Sequence, residues 1–286
     1  MRHTYECPMR WADMDQLGHV NNVAYLDYLQ EARIEMFTAH RAFSAREEHT
    51  EGVLLVRYQV DFHSPLVFRR QPILVDLWVT DIRAASFTLA YEIYDIVDGE
   101  RVVHLRATSQ MAPFVFATER PRRLTEDERT FLSGFLEEAP VRAPIGGPRP
   151  ADAATTPLRV RFSDLDVFRH ANNVKYFEYF QESRIQYLMG LHTKGQKWTA
   201  HVVARTDIDY RRPIHFRRAA YDVHNWISHV GNRSFTISSD ICDGDELLAT
   251  AHVVMVTFDA ETQRSAEMPA DQKRALTAEM GRQISS

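Results

Sequence analysis

The sequence predicts an α+β fold built twice: two tandem copies of one unit, each a single long helix on one face of a sheet of about five strands. Three observations predict it. Residues 10–34 and 161–185 read RWADMDQLGHVNNVAYLDYLQEARI and RFSDLDVFRHANNVKYFEYFQESRI, which without a gap share 13 of 25 positions, where ordinary residue usage would give about one or two. Each copy is followed by β-rich runs punctuated by turn residues. Between the copies lies 137–157, EEAPVRAPIGGPRPADAATTP, with five prolines and two adjacent glycines.

The helix comes first in each unit. Tyr25, Leu29, Ala32 and Met36 recur at i, i+4, i+7 and i+11, and Tyr176, Phe180, Ser183 and Tyr187 repeat the pattern, which is one face of a 3.6-residue helix. Helices are expected near 22–38 and 173–190. Strands follow in VLLVRYQVDF, ILVDLWVTDI, SFTLAYEIYDI and VVHLRATSQMAPFVF, and in the later HVVARTDIDY, YDVHNWISHV, SFTISSDICD and LLATAHVVMVTF, because β-branched and aromatic residues dominate them. LTEDERTFLSGF and MPADQKRALTAEM read as carboxy-terminal helices. Arg57, Asp61, Arg205 and Asp209 sit inside apolar runs and are read as cross-strand ion pairs. The copies keep step beyond the motif, with Phe68-Arg69-Arg70 matching Phe216-Arg217-Arg218 and Asp98-Gly99 matching Asp243-Gly244. The repeat is too long for a solenoid, whose units run about 20–50 residues. Proline fixes φ and removes a donor, so 137–157 is expected to stay out of any sheet. The domains are then 1–136 and 158–286, joined by a linker over 137–157.

A chain of 286 residues with net charge −5 has length for two cores and no basic field to attract nucleic acid. Cys7 and Cys242 are too few for a disulfide framework or a cysteine-based zinc site. No ligand spacing implies a metal or redox cofactor. The first residues, MRHTYECPMRW, lack the apolar core of a signal peptide, and no run approaches the roughly 18 apolar residues of a membrane span. A cytoplasmic protein without membrane or nucleic-acid partners is expected.

The order Asp-x-Asp-x-x-x-His-x-Asn-Asn-x-x-Tyr, leading straight into an amphipathic helix in both copies, resembles the hotdog-fold acyl-CoA thioesterases of the 4-hydroxybenzoyl-CoA thioesterase superfamily. The second copy also resembles the catalytic half of plant acyl-ACP thioesterases, which are double-hotdog chains. The resemblance implies a double hotdog, each half a long helix wrapped by an antiparallel sheet, with the halves paired edge to edge, active sites between them, and further assembly into dimers or rings left open. It departs from the plant enzymes at two places. Leu17 and Phe168 stand where those carry an Asn, and Tyr210-Arg211-Arg212 runs on into Pro213-Ile214 rather than a Glu-Cys pair. What remains is the arrangement of the broader acyl-CoA group.

Thioester hydrolysis needs a group to activate water or attack the carbonyl, and donors for the charge that develops on oxygen. The resemblance places the catalytic carboxylate at the second Asp of each pair, Asp15 and Asp166, as general base or nucleophile; Asp13 and Asp164 are read as turn formers. The first-turn N–H groups of a helix lack intrahelical partners, so the backbone of Asn22 and Asn173 is the expected oxyanion donor. His19 and His170 orient the aspartate or the substrate, or simply close the turn. Asn21, Asn172, Tyr25 and Tyr176 support the loop and the core. Arg69, Arg70, Arg217 and Arg218 are candidate contacts for CoA phosphates, weighed against solvated turns. CoA enters as part of the substrate, and no cofactor is called for. The leading function is acyl-CoA hydrolysis. The alternatives are an acyl-ACP thioesterase, a hydratase or dehydratase whose usual His-Gly segment is absent, and a non-catalytic module that binds acyl thioesters.

Overall fold

The computed structural model describes residues 1–40, 43, 51–116, 118, 120–140, 142–192, 198–259, 261–262 and 264–285. Two compact units, Met1–Arg142 and Ala143–Ser286, make up the chain.

In the first unit, β1 (His3–Cys7) precedes α1 (Ala24–Ala39), then β2 (Glu51–Phe62), β3 (Ile73–Ile82), β4 (Phe87–Val97), β5 (Glu100–Val115), β6 (Arg120–Pro121) and α2 (Glu126–Ser133). All strand pairs are antiparallel, in the order β1-β3-β4-β5-β2, with β6 added to β5. The apolar stripe of α1 faces this sheet. Leu29, Ala32 and Met36 are fully buried, together with Val75, Leu77, Leu89 and Ile93 from the strands. Burial of that stripe outweighs the helix's many polar residues, since packing rather than propensity supplies most helix stability.

The second unit repeats the plan: β7 (Ala154–Leu158), α3 (Asn173–Leu191), β8 (Ala200–Tyr210), β9 (Tyr221–Val230), β10 (Ser234–Asp243), β11 (Glu246–Asp259), β12 (Arg264–Ser265) and α4 (Ala270–Ser285). Its antiparallel order is β8-β11-β10-β9-β7, with β12 on β11. Three ladder irregularities recur in register. Those at Leu55/Arg57, Val79/Asp81 and Ile93/Tyr94 in the first unit match Val203/Arg205, Ile227/His229 and Ile241/Cys242 in the second. Bulges sharpen twist and bend strands, so each sheet curls around its helix in the same way. These are two hotdog domains.

The proline-rich stretch differs from the sequence expectation. Ala154–Leu158 forms β7 and pairs with Tyr221–Asn225 of β9. Pro157 is tolerated because β7 pairs on one side only within its unit, so a missing N–H costs no ladder bond. The preceding residues lie against the second unit. Arg205 donates to the Ala143 carbonyl, Arg149 reaches Cys242 Sγ and Asp240, and Gly146, at φ +93°, sits against the His252 ring.

Candidate active site

Each motif folds as a small hairpin that delivers the chain into its helix. In the first copy a short 3-10 turn, Trp11–Asp13, leads to a bridge between Met14 and Val20, and the Asn21 N–H donates to the Asp13 carbonyl at 2.8 Å. Across the tip, the Asp15 N–H donates to the His19 carbonyl at 2.8 Å and Gly18 N–H to the Asp15 carbonyl at 3.1 Å. The second copy repeats every bond: Asn172 to Asp164 (2.8 Å), Asp166 to His170 (2.8 Å) and Arg169 to Asp166 (3.0 Å), around a Leu165–Ala171 bridge.

The two aspartates of each pair have separate jobs. Asp13 accepts from the Tyr28 hydroxyl at 2.6 Å and from Arg10. Asp164 is buried and accepts from the Tyr179 hydroxyl at 2.9 Å and the Arg161 N–H at 2.8 Å. These carboxylates tie the 3-10 turn to the helix, and burial beside them pushes both tyrosine hydroxyls up. Asp15 and Asp166 are only half-buried. Asp15 Oδ1 accepts from Leu17 N–H at 2.8 Å, and Asp166 Oδ1 from Phe168 N–H at 2.9 Å and His170 N–H at 3.2 Å. In both, Oδ2 accepts no hydrogen bond from the described residues. One oxygen fixes the carboxylate and the other stays reactive.

The tyrosines and asparagines brace this hairpin. The Tyr25 hydroxyl accepts the Leu66 N–H at 2.9 Å while Val20 N–H donates to the Leu66 carbonyl at 2.8 Å; Tyr176, Ile214 and Ala171 do the same at 3.1 and 2.8 Å. Asn21 Oδ1 accepts Val23 N–H and Asn172 Oδ1 accepts Val174 N–H, both at 2.9 Å. The asparagine carbonyls take the next N–H groups, of Ala24 and Lys175. Asn22 lies two residues before α1, and its N–H has no partner among the described residues. Asn173 is the first residue of α3.

The remaining candidates diverge. His170 pairs with His215 in an antiparallel bridge, their rings 4.9 Å apart edge to face. His215 carried no sequence signal, because Val67 holds its place in the first copy. Arg69 is engaged by Asp95, and Arg217 by Asp243 and the Tyr221 ring. Arg70 and Arg218 are exposed, with no partner among the described residues. Gly18 (φ +76°) and Arg169 (φ +64°) take the same left-handed conformation. The turn therefore sets the conformation at this position, whichever side chain occupies it. Among the described residues, no three His, Cys, Asp or Glu side chains are grouped to hold a metal, and no helix is long and apolar enough to cross a membrane.

Comparison with known proteins places this geometry. The FadM long-chain acyl-CoA thioesterase of Escherichia coli K12 is 29% identical over 129 residues, 42% of this chain and 95% of its own length. The YsmA protein of Bacillus subtilis 168 is 33% identical over 122 residues, 42% of this chain and 82% of its own. The 12:0-ACP thioesterase of Umbellularia californica shares the fold across 90% of this chain and 97% of its own, with a TM-score of 0.68 and 17% identity. Both copies, residues 9–139 and 160–276, match the thioesterase-like superfamily, and the chain belongs to that family.

Proposed function

We propose that the chain hydrolyses acyl-CoA thioesters to a free carboxylic acid and CoA. The observation that supports this is the repeated aspartate, clamped through Oδ1 and open at Oδ2, on a hairpin that runs directly into a helix amino terminus. With the thioester carbonyl oxygen at the N–H groups of Asn22 or Asn173, Oδ2 takes a proton from water as the water oxygen bonds to the carbonyl carbon. The carbonyl π electrons move to oxygen, where the helix start stabilises them. Collapse re-forms the C=O bond and expels the thiolate, and no strong acid is needed to drive so good a leaving group. Direct attack by Oδ2 would instead form a mixed anhydride that water then opens. The FadM relative supports CoA as the carrier, and exposed Arg70 and Arg218 are the arginines still open to its phosphates, which guanidinium groups match well.

Thiol release detected with dithionitrobenzoate, over acyl-CoA and acyl-ACP panels of matched chain length, tests the reading. Faster turnover of the CoA series is expected. Absence of thiol release from every thioester would leave only a binding role.

A further inference from the structure

Arg184 is 6% exposed on α3 and, among the described residues, makes no hydrogen bond or ion pair. Its surroundings are otherwise well matched. The adjacent Ser183 hydroxyl bonds Asn225 at 2.7 Å, Asn225 bonds Ser239 at 2.8 Å, and Thr156 closes the set. A buried guanidinium without a counter-charge is costly. Burial pulls it down to about 10, and the only group that works against this is Glu182, an exposed side chain two residues back on the same helix and nearly opposite it at 100° per residue. The counterpart Arg33, equally buried, interacts with another group, so the observation belongs to the second copy alone.

Position along the helix gives the vacancy a direction. Arg184 lies eleven residues after Asn173, three turns on, and falls on the same stripe as Asn173, Phe177 and Phe180. That separation is about 16 Å along the axis. A ligand with its reacting carbonyl at the helix start would bring its far end to the guanidinium. One lone buried guanidinium balances one negative charge and presents a planar fork, which fits a carboxylate rather than a multiply charged phosphate. Resting on the hydrolase reading above, we propose that Arg184 anchors a carboxylate at the distal end of the acyl group, making the second site selective for ω-carboxyacyl thioesters. At about 1.2 Å per extended bond, and with the side chain leaning toward the helix start, the span suits roughly 8–14 carbons.

Non-hydrolysable thioether analogues test this without depending on turnover. Calorimetry on the full chain should show ω-carboxyalkyl-CoA binding at least tenfold more tightly than alkyl-CoA of equal length. Arg184→Met should abolish the difference with the melting temperature unchanged or raised, since an uncompensated charge is removed; Arg184→Lys should keep part of it. Equal affinity of the wild type for the two analogues would overturn the proposal, whether or not the variants fold. So would an equal loss on both analogues in Arg184→Met. If that equal loss vanished with analogues truncated to N-acetylcysteamine, the anion held would be the carrier phosphate. A chain that binds selectively but releases no thiol from any thioester would overturn the hydrolase reading and leave the assignment of Arg184 standing.

Discussion

A carboxylate that spends one oxygen on its own turn is held in place without being neutralised, and Asp15 and Asp166 are both built this way. Asp15→Asn and Asp166→Asn should each lower thiol release from one site while leaving the fold intact. The double change should remove about 10²- to 10⁴-fold of turnover, the usual contribution of a positioned base; parental rates in steady-state assays of the double variant would reject the assignment. Tyr25→Phe and Tyr176→Phe test a different property. Each would leave the N–H of Leu66 or Ile214 buried without an acceptor, so chemical denaturation should show a loss of about 1–3 kcal/mol. Arg169 makes the opposite case. Its φ of +64° strains an L-residue, and Arg169→Gly should raise the melting temperature by a few degrees. The aspartates were legible in the sequence because a polar cluster repeated in a turn has no packing reason to persist. His215 and Arg184 were not legible, since their meaning lies in what faces them, or fails to, across a fold.

At the scale of elements, long periodic segments read correctly: helices expected near 22–38 and 173–190 occur as Ala24–Ala39 and Asn173–Leu191. The β-bulges left no trace in the pattern, because one extra residue in a ladder changes register without changing composition. Strand β7 was hidden by Pro157, whose exclusion from sheets holds for strands paired on both sides. The start of α2 was legible as Thr-x-x-Glu. Thr125 Oγ1 accepts Glu128 N–H at 3.2 Å and Glu128 Oε2 accepts Thr125 N–H at 2.8 Å, a capping box. Thr125→Ala should cost about 1 kcal/mol. Burial alone would push the Glu128 carboxyl up, but the Arg122 guanidinium and the Thr125 N–H outweigh it and hold it below its ordinary range. A depressed carboxylate stabilises the fold above its unfolded pKa and loses that contribution as pH falls through the folded one. Melts of Glu128→Gln should therefore show a shallower decline than the parent below about pH 4.3.

For the whole molecule the question is how many of the copies work. Both carry the same hairpin bonds and the same open carboxylate oxygen, so two competent sites are expected. Titration with a non-hydrolysable acyl-CoA analogue should give two ligands per chain, falling to one when either aspartate position is blocked by a bulky substitution such as Asp15→Leu or Asp166→Leu. A single ligand, lost on changing only one position, would mean that one copy has drifted. Unequal affinities are expected, because His215 faces His170 while Val67 holds the equivalent place in the first copy.

The residues before β7 carry a consequence for anyone who would separate the halves at the level of the gene. A reading frame opened at Leu158, where the recognisable repeat begins, discards β7 and with it the strand that covers the β9 edge. One opened at Ala143 keeps that strand, the carbonyl that Arg205 holds and the Arg149 contact with Asp240. It also keeps Gly146, where even a methyl group would meet the His252 ring at 2.0 Å. The longer fragment should express as a soluble, cooperatively melting protein and the shorter one should accumulate in inclusion bodies, so that the boundary inherited from the ancestral duplication and the boundary at which the polypeptide can be cut fall at different codons.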